Sequence, residues 1–202
     1  MMIPDIVYED EHLLVLYKPA GVPVQSARPG VRDCESILKN YLHAKNPQKG
    51  LPYLGIVHRL DQPVEGLTAF ALTKEAAAAL SRQSASREME KFYLAVRQSV
   101  HNQDVETEKI CGKVPENVDN SVENLIECVD FLWKNGKTNC SQIVEKTHPD
   151  AKRAALRYRI LGRKEGRELI EIQLETGRHH QIRVQMAGRG TPLVGDRKYG
   201  EW

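Results

Sequence analysis

A chain of 202 residues, 41% hydrophobic and 28% charged, has the apolar mass for one core, and its composition is not that of a disordered, collagenous or disulfide-stapled protein. The formal net charge of +2 gives no reason by itself to expect a nucleic-acid partner. No basic-then-apolar leader opens the chain, and no apolar run approaches the ~20 residues of a membrane helix. The expectation is a cytoplasmic protein, no membrane, with reduced and mostly buried thiols. Cys34, Cys111, Cys128 and Cys140 form no C-x-x-C pair, and no His stands at zinc-finger spacing, so no metal is expected.

In chain order, two short strands are predicted at Asp5–Tyr8 and His12–Tyr17. Lys18-Pro19-Ala20-Gly21-Val22-Pro23 follows, where prolines and a glycine forbid helix. Asp33 is placed to cap a helix through Ser36, Leu38 and Leu42, stopped by Asn46-Pro47. Strands are expected at Tyr53–Val57 and Leu67–Thr73, joined by the polar loop His58–Gly66. Thr73 then caps an alanine-rich helix from Lys74 to about Arg87, and Glu90–Gln98 reads as a strand. The polar stretch Ser99–Lys152 carries one readable strand, Leu125–Trp133. Strands at Ala154–Leu161 and Arg167–Leu174 precede an amphipathic helix, Arg178–Ala187. Strands with few helices and long connections argue an α+β fold, a mostly antiparallel central sheet with flanking helices, in a single domain over residues 1–202.

Charge is uneven along the chain. Between Ala151 and Gly200, twelve cations, most of them Arg, stand against five carboxylates, a net +7. A basic face of this kind suits a polyanion, or is a solvated face balanced elsewhere in the fold.

Three segments can carry chemistry. His58-Arg59-Leu60-Asp61 puts a carboxylate on a loop between two strands, a position equally suited to a plain turn residue. In Glu90-Lys91-Phe92-Tyr93, alternation sets Lys91 and Tyr93 on one face. Such a tyrosine can stack on a base, or pack across strands with Lys91 solvated. In Thr176-Gly177-Arg178-His179-His180-Gln181-Ile182-Arg183-Val184, helical spacing puts His179, Arg183 and Met186 near one face. Arg183 could pair with a buried carboxylate or meet phosphate and solvent.

Lys-Pro-Ala-Gly at 18–21, His-Arg-Leu-Asp at 58–61, Glu-Lys-Phe-Tyr at 90–93, Gly-Arg-His-His-Gln-Ile-Arg-Val at 177–184 and Gly-Asp-Arg-Lys-Tyr-Gly at 195–200 occur in that order. Together they resemble the RluA family of pseudouridine synthases, from Val7 to Gly200. The resemblance implies the pseudouridine synthase catalytic fold and isomerisation of uridine in structured rRNA or tRNA by a cofactor-free monomer. It implies Asp61 as nucleophile, Arg59 as the residue that helps extrude the target base, Tyr93 stacking on the uracil, and Arg183 pairing with the nucleophile. His58, Lys91, Arg178, His179 and Gln181 are expected on the RNA. Extrusion is needed because a base cannot turn inside a stack.

The loop after Asp61 departs from the family, reading Gln62-Pro63-Val64-Glu65-Gly66 where many relatives have Arg-Asp-Thr-Ser-Gly. Tyr17 stands where Asn often precedes the Lys-Pro. The chain is also expected to lack an N-terminal accessory RNA-binding domain and to be shorter than usual at its C-terminus. The alternative reading is a catalytically silent RNA-binding protein that keeps the fold. A carboxylate-dependent hydrolase is disfavoured, since no acidic metal cluster or second paired carboxylate accompanies Asp61.

Overall fold

The computed structural model describes residues 4–28, 30–99 and 125–200. Contacts divide the chain into two compact units, Met1–Met89 and Glu90–Trp202.

In the first unit, β1 (Ile6–Glu9), β2 (Leu13–Lys18), β3 (Gly55–Ile56) and β4 (Gly66–Ala71) form an antiparallel sheet in the order β1-β2-β4-β3. Asp10 closes the first hairpin, its Oδ1 accepting from the N–H groups of His12 (2.7 Å) and Leu13 (2.6 Å). Strand alternation drives Leu14, Leu16 and Lys18 of β2 inward together. Leu14 and Leu16 meet Phe70 from β4 and Leu38 from α1 (Cys34–Lys45) in the core. Asp33 caps α1 by accepting from Ser36 N–H at 2.8 Å, and Thr73 caps α2 (Lys74–Ser86) by accepting from Ala76 N–H at 3.1 Å.

In the second unit, β5 (Phe92–Gln98), β6 (Ile126–Asn135), β7 (Cys140–Ile143), β8 (Lys152–Lys164) and β9 (Arg167–Leu174) form an antiparallel sheet in the order β5-β9-β8-β6-β7. One face buries Cys128, Leu156, Tyr158, Ile170 and Ile172 against Met186 of α3 (Gln181–Ala187). The α+β character and the antiparallel pairing match the sequence reading, with the strands distributed over two sheets.

Strand ends shift by a few residues throughout, β8 running from Lys152 to Lys164 where Ala154–Leu161 was expected, and three further differences involve the elements around the expected site residues. β3 has two residues where five were expected, because the chain leaves the sheet after Ile56. β7 is an additional strand inside the polar stretch. Its Cys-Ser-Gln-Ile sequence carries no hydrophobic alternation, and only its pairing with β6 defines it. Helix α3 begins three residues late. His180 adopts a left-handed φ of 55°, and the Gln181 side chain takes the Arg178 N–H at 2.9 Å, so residues 178–180 form a turn. Cys34 and Cys128 are buried and Cys140 is partly so, while Cys111 lies outside the described residues.

The second core encloses an ion-pair network. Arg97 is 2% exposed. It donates to Glu168 Oε2 from Nε at 2.8 Å and from Nη2 at 2.7 Å, and from Nη1 to the Tyr158 hydroxyl at 3.0 Å. Arg163 Nε reaches the other oxygen of Glu168 at 2.9 Å. Burial pushes the Glu168 carboxyl up, but the hydrogen bonds and charges of Arg163 and Arg97 outweigh it and leave the pKa below its ordinary value. Because the folded value lies below the unfolded one, the stability this contributes is complete above about pH 4.3 and drains as pH falls through the folded value. Arg97→Met should therefore cost about 3–5 kcal/mol in denaturant unfolding, since it takes the more buried of two cations from a buried carboxylate and leaves Arg163 alone to hold it. The double variant Arg97→Met/Glu168→Leu should recover part of that loss and flatten the acid limb of stability. Equal stability of Arg97→Met and the parent would remove the network from the account.

Candidate active site

The expected nucleophile lies in the first unit, on the loop between β3 and β4. Lys18 sits beneath that loop. As the last inward residue of β2 it is fully buried, and its ammonium donates to the carbonyls of Pro19 (3.0 Å), Val22 (2.7 Å) and Gln62 (3.2 Å). Three acceptors match the three protons of an ammonium. Burial pushes the Lys18 pKa down, and the fields of Cys34, Asp61 and Glu65 restore it only in part.

Gln62, next to the nucleophile position, clasps Gly21 in both directions. Gly21 N–H donates to Gln62 O at 2.8 Å, and Gln62 Nε2 donates to Gly21 O at 2.9 Å. Gly21 can lie flat in this clasp because it adopts a φ of 83°, which a side chain would strain. Val64 N–H donates to Asp61 O at 3.0 Å and closes the turn. Asp61 is half-buried, within the field of Lys18. Arg59 is exposed and rests its Nη2 on Gln25 Oε1 at 2.8 Å, and Gln25 Nε2 in turn donates to Glu35 at 2.8 Å. His58 Nε2 accepts the backbone N–H of Ala69 in β4 at 3.0 Å.

The other expected residues lie in the second unit. Tyr93 is half-buried on β5 and packs against the core cluster of that sheet. Lys91 precedes the strand, its carbonyl accepting from Leu174 N–H at 2.9 Å. Arg178, His179, Gln181 and Arg183 gather around the start of α3. Arg178 is exposed, and its Nε donates to Arg153 O at 2.8 Å. Gln181 is 3% exposed. Its Oε1 accepts from Thr176 Oγ1 and from Arg178 N–H, and its Nε2 donates to Ala155 O at 3.0 Å, so this amide holds the turn from beneath. His179 Nδ1 lies 2.9 Å from Ser141 Oγ, and its ring stacks on His180 with centroids 3.7 Å apart. His180 Nδ1 lies 2.7 Å from the Tyr199 hydroxyl.

Arg183 is held from one side by a carboxylate. Its Nε and Nη2 donate to Asp196 Oδ2 and Oδ1 at 2.8 and 2.6 Å, a planar bidentate pair. The guanidinium carbon lies 5.1 Å from the centre of the Tyr199 ring. Burial pushes the Asp196 carboxyl up, but Arg183 and the N–H groups of Lys198 and Tyr199 overcome it and lower the pKa.

Lys18 and Gln62 in the first unit, and Asp196 and Tyr199 in the second, hold expected site residues in place, and no role was assigned to these four from the sequence. Lys18, Asp196 and Tyr199 lie in the Lys-Pro-Ala-Gly and Gly-Asp-x-x-Tyr-Gly motifs, so the motifs themselves were the available signal. The basic C-terminal stretch is also less free than its net charge implies. Glu165, Glu168, Glu171, Glu175 and Asp196 each hold at least one of its cations. Lys152, Arg167, Arg178, Arg197 and Lys198 are the cations of the stretch without a carboxylate partner among the described residues. No group of three or more His, Cys, Asp or Glu suited to a metal occurs among the described residues. No helix there is long and apolar enough to cross a membrane.

Two solved human structures, RNA Pseudouridylate Synthase Domain Containing 4 and 1, superpose with TM-scores of 0.72 and 0.69 at 23% identity. Each alignment covers 98% of this chain, and 69% and 70% of those chains respectively. Residues 12–188 match the RNA pseudouridylate synthase family, a span from β2 to the end of α3, and the chain belongs to that family. It is 36% identical over 197 residues to ribosomal large subunit pseudouridine synthase D of Xylella fastidiosa, covering 97% of this chain and 51% of that protein. With the protein of the same name from Xanthomonas campestris, identity is 32% over 204 residues, covering 97% and 51%. The chain thus spans about half the length of these curated relatives.

Lys18→Met keeps the aliphatic stem and removes the donor from three carbonyls. It should lower unfolding free energy by about 2–4 kcal/mol and expose the 19–22 and 61–64 backbone to amide exchange. Exchange at those positions matching the parent would mean that Lys18 does not hold the loop.

Proposed function

We propose that this chain is an RNA pseudouridine synthase that isomerises uridine in structured RNA, large-subunit ribosomal RNA in the first instance and transfer RNA in the second. The observation that supports this most is the family match running through both the Asp61 loop and α3. The ribosomal substrate is taken from the names of the bacterial relatives.

In this reading the N1–C1′ glycosidic bond breaks, the base rotates, C5 joins C1′, and the C5 proton leaves to restore the ring. Asp61 is the nucleophile, acting as a carboxylate on the sugar or the base. Arg183, by resemblance, is the guanidinium that keeps it ionised. Tyr93 stacks on the uracil. Arg59 fills the place of the extruded base, which leaves the stack at a cost of a few kcal/mol offset by contacts in the pocket. Lys91, Arg178 and His179 meet the RNA backbone, contacts that set register more than sequence. His58 and Gln181 are assigned to RNA binding by the same resemblance, acting through the loop and the turn that each supports. The protein acts as a monomer in the cytoplasm, without metal or organic cofactor.

Asp61→Asn should abolish tritium release from RNA labelled at uridine C5 while RNA binding persists. Continued release would falsify the nucleophile assignment. A parent protein that binds the RNA but releases no tritium would instead favour the silent RNA-binding reading. Arg183→Ala should slow turnover, since the guanidinium assigned by resemblance to the Asp61 carboxylate is lost. A parent-like rate across neutral pH would end that role for Arg183.

A further inference from the structure

We propose that His58 is a positioning residue: its ring completes the β3–β4 ladder at Ala69 and so fixes where the chain leaves the sheet to form the Asp61 loop. The inference rests on the reading of Asp61 as nucleophile. β3 pairs with β4 through Gly55↔Ala71 and Ile56↔Phe70 and then ends. Continued in that register, Val57 would oppose Ala69. The chain has already departed, and Ala69 N–H donates instead to His58 Nε2 at 3.0 Å. On its other side Ala69 is opposite Val15 of β2, so β4 is an interior strand whose amide needs a partner. A side-chain nitrogen thus takes the place of the missing strand residue, three positions before Asp61.

This bond specifies the state of the ring. To accept at Nε2 the imidazole must be neutral, with its proton on Nδ1, because an imidazolium donates at both nitrogens and accepts at neither. Neither bracketing strand carries a titratable side chain, since β3 reads Gly-Ile and β4 reads Gly-Leu-Thr-Ala-Phe-Ala. The charged groups on the adjoining elements are Lys18 of β2, Arg59, Asp61 and Glu65 of the loop, and Lys74, Glu75 and Arg82 of α2. Protonation of His58 releases Ala69 and loosens the take-off of the loop. The acid limb of turnover then carries a histidine contribution.

The experiment compares the parent with His58→Gln, His58→Leu and Asp61→Asn. Gln places an amide oxygen where Nε2 lies, accepts the same N–H and does not titrate. Leu fills the space and accepts nothing. Expected are a kcat at least tenfold below the parent for His58→Leu with KM for RNA within about twofold, recovery to within about threefold in His58→Gln, and a flatter acid limb in His58→Gln. Amide exchange at Ala69, read without substrate, should accelerate in His58→Leu and stay protected in His58→Gln. Equal impairment of the two variants, a rise in KM without loss of kcat, or unchanged Ala69 protection in His58→Leu would overturn the proposal. Tritium release by Asp61→Asn would sink the nucleophile reading alone, and Ala69 exchange would still decide whether His58 completes the ladder.

Discussion

The candidate catalytic loop depends on one buried ammonium. Lys18 occupies a position on β2 that strand alternation reserves for apolar residues, in line with Leu14 and Leu16. An unpaired charge there would cost several kcal/mol, and three carbonyl dipoles offset that cost. Two of them, on Pro19 and Val22, belong to the segment after β2, and the third is on Gln62, across the loop. The same contact therefore stabilises the fold and ties together two segments that carry no regular secondary structure. Asp61 stands one residue from the third acceptor.

In the second unit the equivalent constraint falls on a guanidinium. Arg183 extends from α3, a helix of only seven residues, too short to be stable by its own hydrogen bonds. Its position comes from packing of Val184 and Met186, from the turn held by Gln181, and from the Asp196 fork. That fork leaves the Arg183 plane little freedom, and Tyr199 limits it further from the ring side. A planar donor fixed by one carboxylate keeps the orientation of its remaining N–H edge, whatever acceptor meets it.

Much of this was legible from the residues. The caps at Asp33 and Thr73, the strands β2, β4, β8 and β9, and the loop carrying Asp61 follow from periodicity and turn chemistry that act locally. The errors occurred where non-local contacts decide. β7 is a strand because β6 lies beside it, and nothing in Cys-Ser-Gln-Ile announces that. Residues 178–180 have the spacing of a helix, but Gln181 competes for the Arg178 N–H and His180 turns left-handed, so the helix starts later. The charge of the C-terminal stretch was counted correctly, but its distribution depends on cross-strand pairs such as Arg159–Glu171, which only the sheet register reveals. In the sequence Gln62 stands only as a departure from the Arg of many relatives, and its clasp on Gly21 requires the fold.

Arg59 offers a contrast with these fixed groups. Its guanidinium is held by a neutral amide oxygen on Gln25 at the solvent boundary, a contact whose loss costs about 1 kcal/mol. Thermal agitation alone dislodges such a tether often, whereas the double-toothed grip on Arg183 endures. The two arginines therefore differ in readiness to move: one leaves its contact at little expense, and the other keeps its orientation.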